Sequence, residues 1–235
     1  PTHAAPYPRT MTTPPDRRNV LVRVWLPDRP GALGLVAARI GSVGGDIVGV
    51  EVVERGVDVA VDEFAVVLDD PGLLDLLVRE VEEVDGASVE EIRDVGAFPD
   101  PRLDALESAA VLTECTSVAD LGDSLPVHVG REFVADWSAL VAGDRVVSAT
   151  PSAPDAPLLV ALAAGTAASP LVTDGVAGPA DLAVAALPAH DALLLVGRDG
   201  HVFRRRERAQ LVMLARVADR TWTLLERESP APGGG

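Results

Sequence analysis

Lysine is absent from this chain of 235 residues; all 20 basic residues are arginine. Schiff-base chemistry on a side-chain amine and a phosphate-cradling P-loop both need a lysine, so both are excluded. Asparagine and glutamine occur once each, as Asn19 and Gln210. A polar pocket must therefore be built from Asp, Glu, Arg, Ser, Thr, His and main-chain groups. Cys115 is the single cysteine, which excludes an intrachain disulfide and a cysteine-rich zinc site. The histidines, His3, His128, His190 and His201, are scattered without ligand spacing, so no metal and no cofactor is expected. Aromatic residues make up 3%, and the cores have to be packed from Val, Leu, Ala and Ile.

Positive charge is also scarce, and the net charge is −16. Nucleic-acid binding runs on cationic contacts with phosphates, so no nucleic-acid partner is expected. The same balance opposes adhesion to anionic membrane. No apolar run reaches the ~20 residues that span a bilayer, and residues 1–17 lack a charged-then-apolar leader pattern. The expected location is cytoplasmic. A chain 48% hydrophobic and 24% charged has the balance of a globular protein of one large or two small domains.

Periodicity divides the chain. Residues 1–17 and 228–235 read as tails without an apolar pattern. Val20, Val22, Val24 and Leu26 alternate as one face of a strand. Leu33, Val36, Ala37, Ile40 and Val43 then form the stripe of an amphipathic helix, closed by Gly44-Gly45. Strands follow at Ile47–Val53 and Glu63–Leu68, a helix after Asp69-Asp70-Pro71, and a strand at Ala87–Ile92. The order βαββαβ over residues 18–95 suits a ferredoxin-like antiparallel sheet with both helices on one face. Residues 96–101, with two prolines, read as a linker. Over 102–227 the pattern changes to a helix at Leu103–Cys115, strand-like runs at Leu125–Val129, Phe133–Leu140 and Val146–Ala149, and a short helix at Pro157–Ala168. Strands at Leu182–Leu187 and Ala192–Val196 and a long helix at Phe203–Leu225 complete it. The fold class is α+β in both parts.

The stretch Asp28-Arg29-Pro30-Gly31-Ala32-Leu33 opens the first helix, and Gly44-Gly45-Asp46-Ile47 follows it. A helix N-terminus presents unpaired N–H groups and about half a positive charge, which suits a carboxylate. Gly31 has no β-carbon to block close approach. Asp28 and Asp46 flank the helix, and an acidic side chain near those amides would complement an α-amino acid. The plainer reading is that Asp28 caps the helix and the glycines only stop it.

The two halves of this motif at this interval, within βαββαβ, resemble an ACT domain over residues 19–93. That resemblance implies regulatory binding of an amino acid at paired domains in a homodimer. It implicates Asp28, Arg29, Pro30, Gly31, Ala32 and Leu33, together with Gly45, Asp46 and Ile47. Many members carry Asn where this chain has Asp46, and Asp only accepts hydrogen bonds, which favours an ammonium contact. The later part resembles a GAF domain through Gly130–Trp137 as an early strand region, Leu193–Arg198 as a late strand and Val202–Glu207 leading into the last helix. The ACT-then-GAF-like order resembles small actinobacterial regulatory proteins that bind amino acids.

Other clusters read as structural. Arg204, Arg205, Arg206 and Arg208 suggest internal ion pairs or an anionic partner. Asp58, Asp62, Glu63, Asp69 and Asp70 read as a solvated hairpin without calcium-loop spacing. Cys115 lies on an apolar helix face. His190-Asp191 or His128 with Ser124 or Ser138 lacks a nucleophile elbow, so no enzyme is expected. The expectation is a non-catalytic regulatory protein that binds a small amino acid and acts through an unknown protein partner, the GAF-like part taking a second ligand or that partner. The alternatives are a purely structural dimerisation protein, or an enzyme with its site in the later part.

Overall fold

A computed structural model describes residues 17–200 and 202–228. Nearly all of the two tails, and His3 and His201, lie outside the described residues. The chain divides into two compact units with the boundary between Phe98 and Pro99. Each is mixed α+β and carries one antiparallel four-stranded sheet.

The first unit runs β1 (Arg18–Pro27), α1 (Ala32–Ser42), β2 (Gly45–Arg55), β3 (Val59–Leu68), α2 (Leu74–Glu82) and β4 (Ser88–Asp94). Its strand order is β2-β3-β1-β4. Alternation sends Val20, Val22, Val24 and Leu26 of β1 to one side, where Phe64, Val66 and Leu68 join them. Val36 and Ile40 of α1 and Leu77 and Val81 of α2 close that core. On the opposite face, Arg23, Glu63, Arg93 and Glu91 form a ring of ion pairs. Arg23 and Arg93 each lie 2.8 Å from the Glu63 carboxylate, Arg93 is 2.7 Å from Glu91, and Arg23 is 3.7 Å from Glu91. Two members of the expected solvated hairpin are therefore not solvated: Glu63 belongs to this ring and Asp62 is buried. Asp70 instead receives the Gly72 N–H at 2.8 Å and caps a short 3-10 turn before α2. Asp69 pairs with Arg17.

The second unit runs α3 (Pro101–Glu114), α4 (Val118–Glu132), β5 (Trp137–Ala142), β6 (Arg145–Ala149), α5 (Ala156–Ala167), α6 (Pro170–Thr173), β7 (Leu182–Leu187), β8 (Ala192–Gly197) and α7 (Arg205–Glu228). Its strand order is β6-β5-β8-β7. One face packs on α4 and α7 through Leu140, Ala185, Leu194, Leu121 and Leu211, and α3 joins that core through Leu112 against the same two helices. The other packs on α5 through Val141, Val184, Leu195 and Leu159. Burial on both faces explains why β7 and β8 read as unbroken apolar runs.

The strand expected at Leu125–Val129 is part of helix α4, Gly130–Glu132 is the end of that helix rather than an early strand, and the run expected from Phe133 becomes a strand only at Trp137. The Ser117 hydroxyl accepts the Asp120 N–H at 3.1 Å and starts the helix. Leu121, Leu125 and Val129 then recur every fourth residue in the core. The alternation around Pro126 misled, because a proline inside the helix breaks the usual pattern. At the start of α7, the Arg204 N–H donates to the Glu207 carboxylate at 2.8 Å. Arg208 is buried and donates to the Leu182 carbonyl at 2.6 Å. Arg198 is buried over the Phe203 ring and pairs with Glu207 at 2.7 Å. In Arg208 the arginine cluster thus supplies an internal structural cation.

Candidate functional site

The opening of α1 is shaped by short main-chain bonds. The Asp28 N–H donates to the Asp58 carbonyl at 3.0 Å, that of Arg29 to Pro27 at 2.8 Å, and that of Ala32 to Arg29 at 3.2 Å. Gly31 then takes φ 90°, a left-handed value that favours glycine. Its carbonyl accepts the first helical bond, from Leu35 at 3.0 Å. No side chain caps this end. Asp28, the expected cap, turns away and accepts from Arg55 at 2.7 Å. The N–H groups of Gly31, Leu33 and Gly34 consequently meet no acceptor among the described residues. Nothing lies within 4 Å of where a Gly31 β-carbon would be, so the main chain is open to approach.

Gly31 and Leu33 border a pocket of about 400 Å³, lined among others by Pro27, Asp28, Val52, Arg55 and Asp62. Asp62 is its unusual member. It lies on β3 between Val24 of β1 and Val52 of β2, on the face that carries Ala60 and Phe64. The residue is 3% exposed, and its Oδ1 has no hydrogen-bond partner among the described residues. Burial pushes its carboxyl above the usual range; the Arg55 charge opposes that and the Asp28 charge adds to it.

The expected site residues separate into two groups. Asp28, Arg29, Pro30, Gly31 and Leu33 line the pocket, while Ala32 is buried in the core beneath them. Gly45, Asp46 and Ile47 lie at the other end of the sheet. Asp46 is exposed and pairs with Val67, which faces Asn19 at the start of β1, whereas Asp28 follows the last residue of β1. One chain does not bring Asp46 to Asp28. Gly45 is needed for packing, since a β-carbon there would stand 2.7 Å from Ile40 Cγ2. Asp62 and Arg55 were not picked out from the sequence as pocket residues. A signal existed for Asp62: it holds a core-facing position in the alternating series Ala60, Asp62, Phe64, Val66, Leu68.

In the second unit, a pocket of about 370 Å³ beside α5 is lined mainly by small apolar residues, with Asp191 its one ionisable side chain. A smaller one, about 160 Å³, gathers Asp104, Glu107, His128, Arg131 and Glu132. There Gln210 donates to Glu132 at 2.5 Å, and burial pushes the Glu132 carboxyl up. His190 Nδ1 lies 2.8 Å from Asp219, and its ring stacks on Trp222. Ser138 donates to the Pro126 carbonyl rather than to a histidine. Cys115 is buried, and that burial pushes its thiol up, as suits a core residue. Among the described residues no group of three or more His, Cys, Asp or Glu could hold a metal ion, and no helix is long and apolar enough to cross a membrane.

No family model matches the chain, and no curated protein matches it. Among solved structures it is similar to the ACT domain from GTP pyrophosphokinase of Chlorobium tepidum, determined in solution. The identity is 11%, the match covers 36% of this chain and 92% of that domain, and the TM-score is 0.29.

Proposed function

We propose that the chain is a non-catalytic regulatory protein whose first unit binds a small amino acid at the opening of α1. The observation that carries this reading is the uncapped helix start: the N–H groups of Gly31, Leu33 and Gly34 lack acceptors among the described residues, and Gly31 and Leu33 line a pocket of suitable size. A ligand carboxylate supplies the missing acceptors and the negative charge that a helix N-terminus favours. Asp28, Arg29 and Pro30 shape the rim. The protein acts as a cytoplasmic homodimer through a protein partner, and the second unit, GAF-like in this reading, takes a second ligand or that partner.

Thermal unfolding of the full chain with each of the twenty amino acids tests the proposal. A ligand at 100 times its dissociation constant stabilises the native state by roughly 2.7 kcal/mol. A rise with one or a few amino acids, together with NMR shifts at the Gly31, Leu33 and Gly34 amides, is the expected result. The absence of any shift at millimolar concentration would favour a purely structural protein.

A further inference from the structure

We infer that Asp62 receives the ammonium group of the ligand, so that one chain alone supplies both charged poles of the site. This rests on the reading that the amides opening α1 hold the ligand's carboxylate. It changes the expected acidic partner from Asp46, and it defines the ligand class: α-amino acids are selected over their 2-hydroxy counterparts.

Three observations lead there. Asp62 stands in a row of apolar side chains, between Val24 and Val52, where a valine would fit the pattern. A carboxylate buried without a partner carries a free-energy cost that natural cores avoid. Here Oδ1 is shut off from solvent and unpartnered among the described residues, yet the residue lines the pocket next to the α1 opening. The nearby cation does not satisfy it either, because Arg55 directs its hydrogen bond to Asp28. A ligand ammonium offers three donors and one positive charge to that carboxylate.

Asp62 and the opening of α1 line the same pocket. Asp62 lies opposite Val24, three residues before Pro27 at the end of β1. A ligand hydroxyl in place of the ammonium brings neither the charge nor the extra donors, so its affinity is lower by about tenfold or more.

The test separates the two poles with fragments. The isotopically labelled full chain is titrated by NMR with ethylammonium chloride and, separately, with sodium propionate, in the wild type, Asp62→Asn and Asp46→Ala. Ethylammonium is expected to move the Asp62 carboxyl carbon, to bind at least about tenfold more weakly to Asp62→Asn, and to bind Asp46→Ala as it binds the wild type. Unchanged ethylammonium affinity in Asp62→Asn, or loss of binding in Asp46→Ala, overturns the inference. So does a wild type that does not respond to ethylammonium. Propionate reports on the Gly31, Leu33 and Gly34 amides only. If it fails while ethylammonium binds at Asp62, the carboxylate reading falls and the role of Asp62 stands. A native-like amide spectrum for each variant shows that the fold is kept.

Discussion

Arg55, the last residue of β2, bonds the Asp28 carboxylate at 2.7 Å and ties the end of that strand to the loop that opens α1. An aspartate placed just before a helix reads as a cap, yet this one is committed sideways. The amides it would have covered stay available at the pocket.

Removing Asp28 should therefore cost little stability. An ion pair with one partner exposed contributes little, and no helix cap is lost. Ser117 is the contrast, because its hydroxyl does cap α4; Ser117→Ala should lose about 1 kcal/mol. Urea unfolding of the two variants checks this. A loss in Asp28→Ala as large as in Ser117→Ala would mean that Asp28 supports the helix after all.

Asp62 should make the chain less stable as pH rises. Burial pushes its carboxyl up, so the folded state holds the proton to a higher pH than the unfolded state does. Between about pH 4, the ordinary carboxylate value, and that raised value, the folded state binds more protons. The stabilisation from the protonated form is complete below this window and is lost as pH climbs through it. Asp62→Asn should remove that slope and gain about 1 kcal/mol at neutral pH. Unfolding curves across the range, with and without the substitution, decide it; a destabilised Asp62→Asn at neutral pH would contradict it.

Gly45→Ala should unfold more easily without touching the pocket. The new methyl group would stand 2.7 Å from Ile40 Cγ2 and 3.0 Å from the Ile40 carbonyl, and overpacking of this kind costs about 1–3 kcal/mol. Its melting temperature should drop while any amino-acid affinity measured on the folded fraction is unchanged. A selective loss of affinity would return Gly45 to the site.

The order of elements in the first unit was legible because its sheet is covered on one side by two amphipathic helices, and such elements print their period on the sequence. The second unit was less legible. Its strands are buried on both faces, and Pro126 disguised the middle of α4. For the site, the loop from Asp28 to Leu33 was readable from the Pro-Gly pair at a helix start. Asp46 stood out for its place in a motif, but pairing register sets it at the far end of the sheet. Asp62 reads as one more solvated acid of its hairpin, since charge clusters usually face water; only strand parity distinguishes it as the one that turns into the core.

The ring of Arg23, Glu63, Arg93 and Glu91 bears on how the first sheet finds its alignment. It joins three adjacent strands, β3, β1 and β4. Sliding β1 by a single position would turn Arg23 in among the valines under the helices and leave Arg93 alone to balance both glutamates. Four charged side chains thus serve as a checksum on strand assembly: a mis-set sheet is penalised at once, whatever the net contribution of the ring to the finished fold.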